Sequence, residues 1–122
     1  MTRHVLVVDD EITICNLLSR YFQGQGGFQV TTATTATAAL DLCDRTAFDL
    51  VILDIELGED DGLELLEKIK SAHPNLRVII LTGLGFAEEL IEEALKKKAS
   101  GYISKNLTLQ HLLSEVNRAL KQ

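Results

Sequence analysis

The sequence is poor in the residues that build linkers, disulfide frameworks and nucleic-acid-binding surfaces. Of its 122 residues, one is proline, two are cysteine and none is tryptophan. A single proline, Pro74, excludes a proline-rich linker. Lys and Arg number 12 against 18 Asp and Glu, so the net charge is −6. Because an acidic domain repels phosphate backbones, this balance argues against direct nucleic-acid binding.

The two cysteines, Cys15 and Cys43, have neither CxxC spacing nor the spacing of a metal site. Both lie in segments whose apolar residues recur with helical period. We therefore predict that both are small, buried apolar side chains.

Long hydrophobic runs are also absent. No apolar run approaches the ~18 residues that a membrane span needs. The first four residues lead directly into a strand-like run, without the pattern of a signal peptide. We expect no membrane segment, a cytoplasmic location and one domain over residues 1–122, which is long enough to bury a core.

Short runs rich in Val, Ile and Leu alternate with longer segments of helical period, which predicts five strand–helix pairs. The predicted strands are His4–Val8, Phe28–Ala33, Leu50–Leu53, Arg77–Leu81 and Gly101–Ser104. Apolar stripes with helical spacing lie at Ile14–Phe22, Leu90–Leu95 and Leu109–Leu120, and weaker helices at Thr37–Arg45 and Leu63–Ala72.

The strand runs are continuously apolar rather than alternating, as at Val5–Val8 and Val51–Leu53. Strands buried on both faces have this pattern, and a parallel sheet covered by helices requires it. The predicted fold class is therefore α/β with a five-stranded parallel sheet. The threonines of Phe28–Ala33 indicate an edge strand.

Polar side chains follow four of the predicted strands, where the chain leaves the sheet. Open parallel sheets bind ligands outside the carboxyl ends of their strands, so these side chains are predicted to converge. They are Asp9, Asp10 and Glu11 after the first strand, Asp54 after the third, Thr82 after the fourth and Lys105 after the fifth.

Converging carboxylates need a partner, since two of them 4 Å apart repel by about 4 kcal/mol at an effective dielectric of 20. A hard divalent cation relieves this repulsion, and Mg²⁺ suits the site because it takes one or two carboxylates and keeps exchangeable waters. A phosphate oxygen can replace one of these waters on the cation. Lys105 would offer it a point charge and Thr82 a hydroxyl donor.

At this point the chain resembles the receiver domain of two-component response regulators, and the chemotaxis response regulators in particular. The resemblance covers essentially the whole chain and rests on five motifs. They are Val-Leu-Val-Val-Asp-Asp-Glu at 5–11, Leu-Val-Ile-Leu-Asp at 50–54, Asp61-Gly62, Ile-Ile-Leu-Thr-Gly at 79–83 and Gly-Tyr-Ile-Ser-Lys at 101–105. The resemblance implies a doubly wound, flavodoxin-like (βα)5 fold with strand order 2-1-3-4-5.

The same resemblance assigns the acidic residues. Asp54 would be the phosphoacceptor, whose carboxylate attacks a phosphoryl group carried by a kinase histidine. Asp10 and Asp54 would be direct Mg²⁺ ligands, Asp9 would act through water, and the backbone carbonyl of Glu56 would be the third protein ligand.

The resemblance also implies a switch. Lys105 would hold the phosphoryl oxygens, and Thr82 would shift to bond them. Tyr102 would reorient with Thr82 and change the surface formed by helix 4, strand 5 and helix 5. Asp61 is predicted mainly to cap helix 3, and Thr108 to cap helix 5.

The implied partners are a sensor histidine kinase or phosphotransfer protein, a downstream effector domain or protein, and a second copy of the chain in a phosphorylation-linked homodimer. Such a domain catalyses its own phosphorylation and dephosphorylation, and it does not turn over an external substrate.

Three positions depart from the family pattern. Lys105 is followed by Asn106 rather than by a cis proline, and since a non-proline cis bond costs ~3–4 kcal/mol we expect a trans bond. Gly58 replaces a proline, so we expect a looser loop after Asp54. Glu56 and Leu84 occupy the variable positions that flank the site.

Three other functions remain as alternatives. A haloacid-dehalogenase-like, Mg²⁺-dependent phosphatase would need a second spaced Asp after the first strand, which the segment from Asp9 to Thr13 lacks. A flavodoxin would need a Ser/Thr/Gly phosphate loop there, and acids would repel the FMN phosphate. A degenerate receiver acting only as a binding module would not need the complete set of Asp9, Asp10, Asp54, Thr82 and Lys105.

Overall fold

The computed structural model describes residues 2–83, 88–105 and 108–121. Two sequence expectations, for Leu84 and for the peptide bond to Asn106, lie outside these residues. The elements are β1 (Arg3–Val8), α1 (Ile12–Gln25), β2 (Phe28–Ala33), α2 (Ala36–Arg45), β3 (Leu50–Asp54), β4 (Glu56–Leu57), β5 (Asp60–Asp61), α3 (Gly62–Ala72), β6 (Arg77–Thr82), α4 (Glu88–Lys96), β7 (Gly101–Ser104) and α5 (Leu109–Leu120).

The five long strands form one parallel sheet in the order β2-β1-β3-β6-β7. This order confirms the α/β fold class and the strand order 2-1-3-4-5, counted over the long strands. The threonine-rich strand β2 lies at one edge, as predicted. All five residues of the central strand β3 are buried, which explains why its sequence is continuously apolar before Asp54.

Helices cover both faces of the sheet, and each face has its own apolar core. Leu6 and Val51 pack in one layer with residues of α2, α3 and α4. Val7 and Ile52 pack in the other layer with residues of α1 and α5. Because successive side chains of a strand point to opposite faces, each central strand contributes to both layers. The sheet is therefore doubly wound.

The predicted cysteine environments are confirmed. Cys15 is a buried residue of α1 and Cys43 a buried residue of α2, and each has a free thiol. None of the helices in the described part of the chain has the length and apolar character needed to cross a membrane.

In the described part of the chain, side-chain caps begin the helices α2, α3 and α5. Asp61 Oδ1 accepts hydrogen bonds from the amides of Leu63 and Glu64 at the start of α3. Thr108 Oγ1 accepts from the amide of His111 at the start of α5. Both predicted caps are thereby confirmed, and each satisfies backbone donors that a helix cannot satisfy itself.

The segment between β3 and α3 differs from the expected loose loop. It forms a short antiparallel hairpin, with Glu56 opposite Asp61 and Leu57 opposite Asp60. Gly58 supplies the turn with a φ of 62°, a left-handed conformation that proline cannot adopt. Leu57 is buried and fastens the hairpin to the core. Two-residue strands with exposed acids carry no alternating pattern, so the sequence did not indicate them.

Gly62 lies where the hairpin meets α3, and its backbone packs directly on the end of β3. A Cβ at this position would lie 2.6 Å from Ile55 Cα and 2.7 Å from the Asp54 carbonyl oxygen. Since all of these atoms belong to the backbone, a larger residue would displace the end of β3.

We expect Gly62→Ala to lower the free energy of unfolding by about 1–3 kcal/mol, the usual effect of overpacking. Gly24→Ala is the matched control, because Gly24 lies in α1, where an added Cβ would meet no other atom within 4 Å. That change should stabilise the chain by roughly 0.5–1 kcal/mol through better helix propensity. Urea unfolding measures both, and equal effects of the two substitutions would contradict the packing argument.

Candidate functional site

Three carboxylates meet at the carboxyl edge of the sheet, because β1 and β3 are neighbours and end at the same level. Asp9 follows β1 directly and is fully buried, and Asp54 ends β3 with 2% of its surface exposed. Asp10 is exposed beside them. One carboxylate oxygen from each of the three lies within 4.8 Å of the others. The structure thus brings together three of the four acids that the sequence predicted to converge.

Lys105 crosses the edge of the sheet to reach these acids. Its amide donates to the Thr82 carbonyl oxygen, which fixes the start of the side chain beside β6. Its Nζ donates to Asp54 Oδ2 at 2.9 Å and lies 3.0 Å from Asp9 Oδ2. Nζ also lies 3.2 Å from Glu11 Oε1, on the solvent side. One ammonium therefore faces two buried carboxylates and one exposed carboxylate.

The two buried acids are held by the same local motif. Asp9 Oδ1 accepts from the amide of Glu11 at 2.9 Å, and Asp54 Oδ1 accepts from the amide of Glu56 at 3.0 Å. In each case the donor is two residues further along the chain, as in an Asx-turn. This motif orients Oδ2 of both acids toward Lys105.

The charges of the site shift the pKa values of Asp9 and Lys105. Burial raises the pKa of Asp9, and the neighbouring Asp54 raises it further, against the opposing hydrogen bond from the Glu11 amide and the positive charge of Lys105. Burial alone would lower the pKa of Lys105, but its hydrogen bond to Asp54 and its charge interactions with Asp54 and Asp9 raise it well above its ordinary value. Burial is thus the main cause of the shift at Asp9, whereas the neighbouring carboxylates cause the shift at Lys105.

The carboxylate oxygens of Asp9, Asp10 and Asp54 form a set of ligands that fits a hard divalent cation. Asp9 Oδ2 is buried and accepts no hydrogen bond from the described residues, although the Lys105 ammonium lies at ion-pair distance. A buried carboxylate oxygen without a donor calls for another partner, and oxygen ligands are those that Mg²⁺ prefers. The cleft over these acids has a volume of about 450 Å³. This acidic cleft is lined by Asp10, Glu11, Asp54, Glu56, Gly58, Gly83 and Lys105.

The remaining predicted residues lie at different distances from this cleft. Glu56 lines it from β4, whereas Thr82 is half-buried at the end of β6 and Gly83 forms the adjacent wall. Tyr102 lies outside the cleft, in β7, with 40% of its surface exposed. There it lines a groove of about 480 Å³ together with Leu95, His111 and Arg118, which we call the α4–β7–α5 face.

Three further cleft contacts were not assigned a role from the sequence. Glu11 contacts Lys105, and two glycines let other groups approach the cleft closely. A Cβ on Gly83 would lie 3.1 Å from Lys105 Cδ, and one on Gly58 would lie 3.2 Å from Asp10 Oδ2. The only available signal was position, since Glu11 is the third acid after β1 and Gly83 follows β6.

Comparison with known proteins gives one consistent result. The model of the response regulator receiver domain family matches residues 5–117. The transcriptional regulatory protein ZraR of Klebsiella oxytoca is 36% identical over 116 residues, which cover 95% of this chain. The chain spans only 26% of the length of that protein.

Two further proteins resemble the chain over nearly all of their own length. The sporulation initiation phosphotransferase F of Bacillus subtilis is 32% identical over 120 residues, covering 98% of this chain and 95% of that protein. A crystal structure of a CheY-like receiver domain protein from Methanospirillum hungatei JF-1 superposes with a TM-score of 0.92 at 29% identity, covering 99% of this chain and 95% of that one.

The raised pKa of Asp9 leads to a testable pH dependence. The folded state binds a proton on Asp9 more tightly than the unfolded state, so ionisation of this carboxyl lowers stability at neutral pH. This loss disappears as the pH falls through the raised pKa toward the unfolded value of 3.8. We therefore expect Asp9→Asn to stabilise the metal-free protein at pH 7, and the gain to shrink toward pH 4.

Urea unfolding of metal-free protein at several pH values measures this difference. Glu11→Gln controls for the loss of a Lys105 contact, because Glu11 is an exposed partner of the same ammonium. A gain for Asp9→Asn that is constant between pH 4 and pH 7 would show that ionisation of Asp9 does not destabilise the fold.

Proposed function

Because this chain belongs to the response regulator receiver domain family, we propose that Asp54 is the residue that accepts its phosphoryl group. Receiver domains are phosphoacceptor signalling domains rather than enzymes with turnover on an external substrate, and aspartate phosphorylation with Mg²⁺ is general in the family. The observation that carries the assignment is the environment of Asp54. It is a buried carboxylate with one oxygen on a backbone amide and the other on Lys105.

The proposed reaction is an attack by the Asp54 carboxylate on the phosphorus atom of a phosphohistidine. A P–O bond forms, the P–N bond breaks, and its electron pair leaves on the imidazole nitrogen, so the product is an acyl phosphate. The amide of Glu56 keeps the carboxylate oriented during the attack. Lys105 Nζ, 2.9 Å from Asp54 Oδ2, would stabilise the negative charge of the transferred oxygens.

Asp10, Asp54 and the carbonyl of Glu56 are the proposed direct ligands of Mg²⁺, with Asp9 acting through water. The bound cation supplies positive charge for the oxygens of the phosphoryl group. Two observations support this ligand set. Asp9 Oδ2 accepts no hydrogen bond from the described residues, and one carboxylate oxygen from each of the three acids lies within 4.8 Å of the others. The same residues would catalyse phosphorylation and dephosphorylation of the chain itself.

The proposed output passes from Thr82 to the α4–β7–α5 face. Thr82 lies opposite Ser104 in the register of β6 with β7, two residues beyond the Ile80–Tyr102 pair. A phosphoryl group on Asp54 would offer new acceptors to the Thr82 hydroxyl. Movement of Thr82 would vacate space for the Tyr102 ring and change the groove that Tyr102 lines.

The proposed partners follow from this reaction. A histidine kinase or phosphotransfer protein would supply the phosphoryl group, and a downstream effector domain or protein would read the α4–β7–α5 face. A phosphorylation-linked homodimer is a further proposed assembly, and we take residues 1–122 as one receiver unit. Nothing in the comparisons favours the phosphatase or the binding-only module.

We expect Asp54→Asn to abolish labelling by acetyl phosphate in the presence of Mg²⁺. Intact-mass spectrometry measures this as loss of the species heavier by one phosphoryl group. Asp41→Asn is the matched control, since Asp41 is an exposed partner of Arg45 on α2, and it should be labelled as the wild type is. Undiminished labelling of Asp54→Asn would reject Asp54 as the acceptor.

We also expect Thr82→Ala to accept the phosphoryl group but to transmit it poorly. One charge-assisted hydrogen bond contributes about 1.5–3 kcal/mol, which corresponds to a population shift of roughly ten- to a hundredfold. NMR shifts of amides in α4, β7 and α5 on addition of beryllofluoride measure transmission. Thr82→Ser, which keeps the hydroxyl, should behave as the wild type does. Wild-type shifts in Thr82→Ala would exclude Thr82 as the coupling residue.

A further inference from the structure

The β4–β5 hairpin, residues 56–61, touches two of the three acids of the cleft. Its first residue, Glu56, donates its amide to Asp54 Oδ1 at 3.0 Å. Its turn residue, Gly58, packs so closely on Asp10 that a Cβ there would lie 3.2 Å from Asp10 Oδ2. The position of this hairpin therefore controls the position of a proposed acceptor and of a proposed metal ligand.

The hairpin cannot hold this position by its own strands. It has only two paired positions, Glu56 with Asp61 and Leu57 with Asp60. Isolated two-stranded hairpins are marginally stable at best in water, and this one is far shorter than most. Contacts with the rest of the chain must therefore fix it.

Two adjacent carboxylates on the second strand of the hairpin supply such contacts. Asp61 caps α3, to which it is directly joined. Asp60 Oδ2 accepts a hydrogen bond from the amide of Ala36, the first residue of α2, at 2.9 Å and across 24 residues of sequence. This amide has no partner within its own helix, and a carboxylate is favoured at the positive end of the helix dipole.

We infer that Asp60, through its bond to the start of α2, is a positioning residue that holds the β4–β5 hairpin against Asp10 and Asp54. The bond fixes the strand opposite Leu57, and Gly58 follows Leu57 directly in the turn. Loss of the bond would let the turn move away from Asp10 and would loosen the Glu56 amide from Asp54. The inference rests on the proposed function, because it takes the acidic cleft as the Mg²⁺ site.

The test measures Mg²⁺ affinity by NMR titration with magnesium chloride, and hydrogen exchange of the Glu56 amide in metal-free protein. We expect Asp60→Ala to weaken Mg²⁺ binding roughly three- to tenfold, the change in equilibrium constant that one hydrogen bond of ordinary net strength supports. Exchange of the Glu56 amide should become faster. Asp60→Asn keeps an acceptor oxygen for the Ala36 amide and should restore most of both properties.

Thr35→Ala is the matched control for stability of α2. Thr35 Oγ1 caps the same helix by accepting from the amide of Ala38, but this bond does not involve the hairpin. This substitution should lower the melting temperature and leave Mg²⁺ affinity and Glu56 exchange unchanged.

Three results would overturn the inference while leaving the proposed function intact. Asp60→Ala could bind Mg²⁺ as the wild type does, or Asp60→Asn could lose as much affinity as Asp60→Ala, which would assign the effect to charge. Thr35→Ala could weaken Mg²⁺ binding equally, which would assign it to the stability of α2. Absence of Mg²⁺ binding by the wild type would instead reject the proposed metal site and this inference together.

Discussion

Two buried carboxylates share one ammonium at the carboxyl edge of the sheet, and the rest of the site depends on this unequal arrangement. Asp9 is fully buried, Asp54 has 2% of its surface exposed where it lines the cleft, and the Lys105 side chain keeps 15% of its exposure. Removal of one partner from a buried ion pair leaves an uncompensated charge, which destabilises proteins by about 3–5 kcal/mol. Here the pairing is incomplete from the start, because a single positive charge faces two negative ones. That shortage of positive charge is the physical reason that a divalent cation suits the cleft. A bound cation together with Lys105 would supply the positive charge that a phosphoryl group needs there.

The sheet and its packing make this arrangement rigid. Parallel pairing of β1 with β3 places Asp9 and Asp54 side by side, and apolar layers cover both faces of these strands. At the end of β3, the bare backbone of Gly62 packs against Ile55 and Asp54. The nucleophile proposed for phosphoryl transfer is thus positioned by backbone packing as well as by its hydrogen bonds, which is how proteins preorganise a reacting group.

Beyond this edge, the residues proposed to respond to phosphorylation are less buried than the acceptor. Thr82 is half-buried at the end of β6, and Tyr102 is partly exposed on the α4–β7–α5 face. A charge change at Asp54 can shift populations only through groups whose contacts differ between two states. In the proposed signal, the buried acceptor Asp54 acts through Thr82 on the more exposed Tyr102, and the change thereby reaches the surface.

The strand sequences by themselves determined the fold class and the convergence of Asp9, Asp10, Asp54 and Lys105. Continuous apolar runs require strands buried on both faces, and parallel strands place the residues that follow them at one edge. The helix caps of Asp61 and Thr108 were also predictable, because a cap acts over three residues. Only the tertiary structure decided how Lys105 is shared among Asp9, Glu11 and Asp54, and that Asp60 ties the hairpin to Ala36. These contacts join residues 24 to 96 positions apart, and their distances depend on how whole helices and strands pack, which no local pattern encodes.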